Sequence, residues 1–381
     1  MRAGRLPGYC LVSVVLGLLV ALAGCAPAAQ STATAAPKAP AAAETKPAAQ
    51  PTKAAAQQEA KPAGEAPKQL VTLGFGLIPH VATSPTYVAL QEGYLKEQGI
   101  DLSIEGFPDT VQIMTLIATG KLQLGQVTMG AAAFNSFARK TDMVMIASAN
   151  QDPAGPSLTC PLVIRKDLID SGKVKTVADL KGMKVALNGK GTVLEWTLSA
   201  VLATGGLKYE DVDVPIMPWP DMVVALGNKA IDGGLIGEPA GTEAVMKGVG
   251  VKLTNYKLPA AQYGTIFANK IYAKQHPEVI RNFLVGYLKA IREMTNGKLR
   301  QNPKLLDVVQ GFTKVPMDTL KEMPSLYWDP NGRVNKDSIV EVQKYLLDHK
   351  SVDYTEALPL SDVLDESYLE QALTVVGTVP K

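Results

Sequence analysis

The chain has 381 residues, with 38 Lys and Arg against 36 Asp and Glu, and it contains three Cys. This length allows one large or two modest folded domains. The near-neutral charge provides no general attraction to nucleic acid, so we expect no nucleic-acid partner. Three cysteines cannot form the disulfide framework of a small secreted scaffold.

Residues 1–24 have the features of an export signal. Arg2 and Arg5 precede an apolar run at residues 11–22, which is shorter than the about 20 apolar residues that a membrane span needs. The Leu-Ala-Gly-Cys sequence at residues 22–25 resembles a bacterial lipobox, in which the cysteine is lipidated and becomes the first mature residue. An ordinary signal with a chance cysteine is the alternative. We expect lipid on Cys25 to anchor the protein to the extracytoplasmic side of the cell membrane.

Residues 26–67 have the composition of a tether. Of these 42 residues 18 are Ala and seven are Pro, and none is Val, Ile, Leu, Met or aromatic. Such a segment cannot bury enough apolar surface to offset the entropy of ordering it, so we predict disorder. A flexible tether would let the folded part leave the membrane surface and dock onto an embedded partner.

The folded region begins near residue 68 with alternating strands and helices. The first copy of this pattern is predicted to have strands at residues 71–76, 100–105 and 122–127, and helices at residues 87–98 and from the cap Asp109 to Gly120. The second copy is predicted to have strands at residues 184–187, 212–217 and 231–236, and helices at residues 193–203 and 222–226.

The two copies match in detail. Phe-Pro-Asp at residues 107–109 and Trp-Pro-Asp at residues 219–221 occupy equivalent positions. Alternation of strands and helices favours an α/β fold with parallel-rich sheets, and two copies favour two lobes. Beyond Pro277 the pattern is helical, with amphipathic segments at residues 279–294 and 336–347.

Three ordered motifs resemble the periplasmic solute-binding proteins of ABC importers. They are Gly-Tyr-Leu-Lys-Glu-Gln-Gly-Ile at residues 93–100, Val-Ala-Asp-Leu-Lys-Gly-Met-Lys-Val at residues 177–185, and the paired Pro-Asp segments. The subgroup that they resemble binds nitrate, alkanesulfonates, taurine and thiamine-type pyrimidines. The resemblance covers nearly all of residues 70–300.

This resemblance implies a periplasmic-binding-protein type II fold, with two lobes of mostly parallel sheet flanked by helices and a ligand cleft between them. It implies one lobe from residues 68–160 and about 260–381 and a second from residues 161–259. It also implies a monomer that delivers a small molecule to an ABC permease with its ATPase subunits.

Ligands of open parallel sheets bind at the carboxyl ends of strands, where loops meet helix amino termini. By this argument residues 78–84, 127–131, 188–193 and 236–240 face the cleft. The candidate ligand-binding residues are His80, Ser84, Thr128, Met129, Gly130, Lys190, Gly191, Thr192, Trp219, Glu238 and Tyr263.

Several candidates have a plainer interpretation. Ser84 and Thr192 suit helix caps equally well, and His80 suits a partly exposed loop histidine. Glu238 either faces the cleft or caps the helix that follows it, and the family resemblance favours the cleft. Trp219 lies between two prolines on a loop, where it suits stacking on a ligand better than core packing. For the remaining aromatic candidates, Tyr87, Phe134, Trp196 and Tyr263, core packing is the plainer interpretation.

The expected position of Glu238 decides the expected ligand class. A carboxylate in the cleft would repel a sulfonate or nitrate unless Lys190 neutralised it, whereas it would match the N–H groups of a heterocycle. We therefore favour a vitamin-like heteroaromatic ligand, either a thiamine-precursor pyrimidine or riboflavin. An alkanesulfonate, taurine or nitrate is the alternative.

No chemistry of its own is expected for this chain. An enzyme similar to thiamine-pyrimidine synthase would need a run of cysteines around a phenylalanine, but Cys160 stands alone and is expected to be buried and inert. The three histidines are too scattered to suggest a metal site, and no cofactor is expected. A tethered sensor domain remains a third class.

Overall fold

The computed structural model describes residues 70–380, and strands in this part of the chain form two sheets. The strands are β1 (Val71–Leu77), β2 (Ile100–Gly106), β3 (Leu124–Thr128), β4 (Met143–Asp152), β5 (Leu162–Arg165), β6 (Val185–Ala186), β7 (Gly233–Leu235), β8 (Gly250–Lys252) and β9 (Ala261–Asn269). The predictions for residues 1–67, including lipid on Cys25 and the disordered tether, lie outside the described residues.

The first sheet has the strand order β2-β1-β3-β9-β4. Strands β1, β2 and β3 are parallel, and β9 runs antiparallel between β3 and β4. Four of its five strands therefore run in the same direction, and their carboxyl ends meet at one edge.

The second sheet has the order β6-β7-β5-β8. Strands β6 and β7 are parallel, and β5 is antiparallel to both of its neighbours. Each sheet thus contains one reversed strand, β9 in the first sheet and β5 in the second. The chain passes from the first sheet to the second at β5 and returns to the first sheet at β9. Both sheets are mostly parallel, and the predicted α/β fold class with two sheets is confirmed.

Helices cover the faces of both sheets. They are α1 (Ser84–Gln91), α2 (Tyr94–Glu97), α3 (Thr110–Ala118), α4 (Ala131–Ala138), α5 (Lys166–Asp170), α6 (Val193–Thr204), α7 (Trp219–Gly227), α8 (Ala240–Met246), α9 (Lys270–Gln275), α10 (Pro277–Met294), α11 (Lys298–Gln301), α12 (Pro303–Thr313), α13 (Met317–Glu322), α14 (Lys336–Asp348), α15 (Leu360–Val363) and α16 (Ser367–Val376). Between residues 70 and 380, no helix has the length and apolarity needed to cross a membrane.

Two predicted elements differ from the structure. The helix predicted at residues 87–98 is broken into α1 and α2, because Gly93 adopts a left-handed conformation with φ of 79°. The strand predicted at residues 212–217 is reduced to isolated bridges from Asp213 to Lys184 and from Ile216 to Leu187. The second copy of the pattern is therefore less regular than the first.

The long helix α10 stabilises the first sheet. Its apolar face, which includes the fully buried Phe283, Leu284 and Tyr287, lies against α1, α2 and α16. Burying an aromatic or leucine side chain contributes about 1.5 to 3 kcal/mol. Helices α10 and α16 therefore pack together with the helices on the first sheet, whereas α14 also contacts α6.

Candidate functional site

A cavity lies at the carboxyl ends of strands β1, β3 and β4 of the first sheet and is completed by residues at the starts of α6 and α7. It is lined by Ile78, His80, Thr83, Thr110, Gln126, Thr128, Asn150, Thr159, Cys160, Leu194, Trp219 and Tyr263. Its volume is about 50 Å³, which is room for a few water molecules. None of these lining residues is Asp, Glu, Lys or Arg, so the wall, which is mostly apolar with several polar side chains, carries no formal charge.

His80 contributes a neutral donor to this wall. Its Nδ1 accepts the backbone N–H of Ala82 at 3.1 Å, which places the ring proton on Nε2. Burial lowers the pKa of His80 from 6.5 to about 4, so the imidazole is uncharged at neutral pH. Its Nε2–H can therefore donate a hydrogen bond without adding a charge.

Two lining side chains have buried polar atoms without a partner among the described residues. They are the side-chain oxygen of Gln126 and the indole Nε1–H of Trp219. Gln126 is only 5% exposed, and a buried polar group without a partner costs about 1 to 3 kcal/mol. Because both residues line the cavity, a polar ligand there is a candidate partner for these groups. The Gln126 amide can present either its oxygen or its NH₂ group.

Tyr263 and Thr159 belong to a network behind the wall. The Tyr263 hydroxyl lies 3.0 Å from Ser157 Oγ, which donates to the buried Asp152 carboxylate at 2.6 Å. Thr159 Oγ1 also donates to Asp152, at 2.8 Å. Burial raises the pKa of Asp152, and the hydrogen bonds from Ser157 and Thr159 oppose that rise. The network fixes the positions of two cavity side chains.

Four helices begin at the cavity. The residue that precedes α1, Thr83, lines the wall, as do the first residues of α3 and α7, Thr110 and Trp219, and the second residue of α6, Leu194. The amino terminus of a helix carries a partial positive charge and unpaired N–H groups. The first N–H groups of α6 are already bonded, that of Val193 to the Met129 carbonyl and that of Leu194 to Thr192 Oγ1. The helix ends therefore add partial positive charge to a wall that has no cationic side chain.

The cleft-facing position expected for Glu238 is wrong. Its carboxylate is almost fully buried, lies 2.6 Å from Lys252 Nζ and accepts the Thr242 N–H at 3.0 Å. It therefore caps α8 and pairs with a lysine on β8, outside the cavity wall. Glu238 is therefore not placed to repel an anion in the cavity, and it is not placed to accept hydrogen bonds from a heterocycle there.

Other candidates also lie outside the wall. Ser84 is buried as the first residue of α1, and it is Thr83 that occupies the position before the helix. Lys190 is exposed, and Met129 is fully buried. Gly130, Gly191 and Thr192 contact one another across the cleft instead of lining the cavity.

Of the aromatic candidates, Trp219 and Tyr263 line the cavity. Tyr87 stacks on Phe312, while Phe134 and Trp196 lie in the core. His80 and Thr128 are the other candidates that the structure brings to the wall.

Sequence reasoning missed several lining residues. Gln126 carries a detectable signal, because it is a polar residue between Gly125 and Val127 in the buried part of β3 and immediately precedes a segment expected at the cleft. Thr110 directly follows the helix cap Asp109. Asn150 and Thr159 have no such signal, since the pairing of β4 with β9 brings Asn150 to the cavity and hydrogen bonds to Asp152 hold Thr159 there.

Cys160 lines the cavity but is not a reactive nucleophile. Burial, with smaller effects from Asp152 and Glu238, raises the pKa of its thiol well above the ordinary value, so the thiolate needed for attack does not form. Within residues 70–380, no three His, Cys, Asp or Glu side chains are placed to hold a metal ion. The geometry is that of a binding cavity.

Two mostly parallel sheets with a cavity at their strand carboxyl ends define the type II periplasmic-binding-protein fold. The family model described as NMT1/THI5 like matches residues 81–297. The chain belongs to this family.

Curated relatives of the chain include binding proteins for small anions. The putative aliphatic sulfonates-binding protein of Escherichia coli is 27% identical over 207 residues, which are 54% of this chain and 61% of that protein. The nitrate/nitrite binding protein NrtA of Synechococcus elongatus is 26% identical over 212 residues, which are 49% of this chain and 46% of that protein. The chain thus spans about half to three-fifths of the length of these relatives.

Solved structures share the fold over most of the chain. The ligand binding component of an ABC-type import system from Staphylococcus aureus has a TM-score of 0.63 at 15% identity, covering 79% of this chain and 98% of that one. The periplasmic aliphatic sulphonate binding protein SsuA of Escherichia coli has a TM-score of 0.59 at 20% identity, covering 74% and 94%. At these identities the likeness concerns the fold.

Proposed function

We propose that this protein is the solute-binding component of an ABC importer and that its cleft binds a small oxyanion, either a sulfonate or nitrate. The observation that carries the proposal is the uncharged cavity at which four helices begin. Helix amino termini and neutral donors can hold an anion without a buried cation, whose desolvation would be costly. The E. coli and Synechococcus relatives, named for sulfonates and for nitrate, support the same ligand class.

The main alternative is a vitamin-like heteroaromatic ligand. It rested on a carboxylate in the cleft, and Glu238 is instead paired with Lys252. The small volume of the cavity also disfavours the large ring system of riboflavin in this conformation. Trp219 is the feature that still favours an aromatic ligand, because its ring is part of the wall.

A thermal-shift panel tests the proposal. Nitrate, taurine, short alkanesulfonates, a thiamine-precursor pyrimidine and riboflavin would each be added to the purified protein. A ligand at 100 times its dissociation constant stabilises the folded state by about 2.7 kcal/mol. We expect a concentration-dependent rise in melting temperature with an oxyanion. A rise with the pyrimidine or riboflavin alone would refute the oxyanion assignment.

We also propose that lipid on Cys25 holds the protein on the extracytoplasmic side of the membrane, where it docks as a monomer onto the permease and its ATPase subunits. The lipobox at residues 22–25 and the composition of residues 26–67 support this proposal. Cys25→Ser is expected to release the protein from the membrane fraction. Wild-type protein that is found free of membranes would contradict the anchor.

Transport and sensing can be separated in cells. Deletion of the partner permease abolishes uptake of the solute if the protein serves an importer. A solute response that persists without any permease would favour the sensor alternative.

A further inference from the structure

The two lobes contact each other through their backbones at the edge of the cavity. The Ala131 N–H donates to the Gly191 carbonyl at 2.8 Å, and the Val193 N–H donates to the Met129 carbonyl at 3.0 Å. Between these bonds Gly130 and Thr192 form an antiparallel bridge. We call residues 129–131 and 191–193 the latch.

The latch requires a glycine at position 130. A Cβ atom on Gly130 would lie 2.8 Å from the Gly191 carbonyl oxygen and 3.2 Å from the Thr192 Cα. Gly130 has an extended backbone with φ of 171°, so any residue could adopt its conformation. The contact across the cleft, and not backbone strain, is therefore what excludes a side chain.

The other side of the latch is held from within its own lobe. The Gly191 N–H donates to Glu195 Oε2 at 2.6 Å, and Glu195 is only 9% exposed. Glu195 thus fixes the peptide group between Lys190 and Gly191. The next peptide group is held with the Gly191 carbonyl directed toward the Ala131 N–H. Tyr209 and Tyr345 lie near this carboxylate, and its charge adds to the effect of burial in raising the pKa of both hydroxyls.

We propose that the latch holds the cleft closed independently of ligand, and that Glu195 is the positioning residue that prepares Gly191 for it. None of the residues that make these two bonds lines the cavity, so the bonds involve no group that a ligand in the cavity would contact. Thr128 and Leu194, which flank the latch in sequence, line the cavity. Opening the latch would therefore release whatever the cavity holds. The role in ligand retention rests on the binding function proposed above.

Gly130→Ala is the direct test, and Gly189→Ala is its matched control. A Cβ on Gly189 meets only a Thr192 methyl group, at 3.7 Å, so the same substitution in the neighbouring loop is accommodated. Spin labels on Lys121→Cys and Lys173→Cys, both exposed, would report the distance between the lobes in full-length protein with Cys10 and Cys25 replaced by Ser.

In ligand-free wild type we expect a population with the short distance of the closed form. Loss of two hydrogen bonds should lower the closed-to-open ratio of Gly130→Ala by roughly tenfold or more, while Gly189→Ala should match wild type. Equal distance distributions in all three proteins, or a fully open ligand-free wild type, would overturn the proposal.

Glu195→Gln and Glu195→Ala test the positioning role. Gln keeps an oxygen that accepts the Gly191 N–H, so it should retain the closed population, whereas Ala should lose it. If Glu195 serves only the stability of the fold, its variants would have lower melting temperatures but the same closed population as each other. That result would overturn the positioning role of Glu195.

The distance measurement uses no ligand, so it is independent of the ligand panel. A shift in Gly130→Ala together with no response to any oxyanion would retain the latch and refute the proposed ligand. With any bound ligand, faster ligand release from Gly130→Ala than from Gly189→Ala is expected. Equal release rates would contradict the retention role.

Discussion

Lys252 Nζ lies 2.6 Å from the Glu238 carboxylate, and the Glu238 side chain is only 1% exposed. A buried carboxylate of this kind is held by its partners and is destabilising when unpaired. Glu238 therefore stabilises the contact between α8 and β8 and does not face the cleft. This relationship removes both the expected repulsion of an anion by Glu238 and the argument for a nitrogen heterocycle that rested on it.

Glu238→Gln is expected to reduce stability without changing ligand affinity. The substitution removes the charge that pairs with Lys252, and we expect the free energy of unfolding to fall by about 1 to 3 kcal/mol. Denaturant titration and calorimetric binding on the same protein measure the two effects. Glu243→Gln, which removes an exposed pair with Lys247 on the same helix, should change stability by less than about 0.5 kcal/mol. Weaker binding by Glu238→Gln at unchanged stability would return Glu238 to the cleft.

Trp219→Phe is expected to weaken binding. The ring remains apolar and aromatic, but the unpartnered Nε1–H of Trp219 is lost. Loss of one hydrogen bond to a ligand should reduce affinity about three- to tenfold. Trp196→Phe is the matched control, because Trp196 lies in the core of the same protein. Equal affinity of the Trp219 variant and wild type would show that the indole does not bind the ligand.

Gln126→Leu should also weaken binding, because it replaces the buried amide by an apolar side chain of similar size. The same substitution should raise stability in the ligand-free state, since it removes a buried polar atom that has no partner. Calorimetry and denaturant titration together detect these opposite effects. A loss of both affinity and stability would indicate that Gln126 serves the fold.

His80 predicts a particular pH dependence. Burial lowers its pKa from 6.5 to about 4, so the unfolded chain takes up a proton before the folded protein does. Stability should therefore be lost as pH falls from about 6.5 to about 4, by about 3 kcal/mol at most. His80→Gln should lack this component when denaturant titrations of both proteins are compared.

Ligand affinity should stay nearly constant between pH 8 and 6, because His80 is neutral throughout that range. An imidazolium contact would instead strengthen binding about tenfold for each unit of falling pH above a pKa of about 4. Calorimetry across this range distinguishes a neutral donor from a charged one.

Cys160 should react slowly with thiol reagents in the folded protein. Burial raises the pKa of its thiol and removes it from solvent. In a variant with Cys10 and Cys25 replaced by Ser, modification should become fast only in denaturant. Ser171→Cys, at an exposed position, provides the rapid control in the same background. Fast labelling of Cys160 in native buffer would contradict a closed cavity.

The fold could be predicted from the sequence because its signals are local. Alternation in β1 and β2, the cap Asp109 and the two Pro-Asp segments each depend on a few neighbouring residues. The break at Gly93 was missed because residues 87–98 were assigned to a single helix, although glycine is the residue that readily adopts the left-handed conformation found there.

The site could be predicted only in part, because its decisive contacts join distant segments. Trp219 was found because its flanking prolines predicted a loop, although the residue begins α7. Glu238 was misplaced because its partner Lys252 lies on a different strand, and no local pattern connects the two. The latch joins residues 129–131 to residues 191–193, so from the sequence Gly130 and Gly191 could be placed only among the ligand-binding candidates.

Isothermal titration calorimetry of the purified protein is the most direct test of whether the cavity binds a small oxyanion. The panel would contain nitrate, taurine, short alkanesulfonates, a thiamine-precursor pyrimidine and riboflavin. We predict saturable binding of a sulfonate or nitrate, with one molecule per chain and at least roughly a hundredfold, or about 2.7 kcal/mol, preference over the heterocycles. Saturable binding of the pyrimidine or riboflavin, with no binding of any oxyanion, would contradict the account.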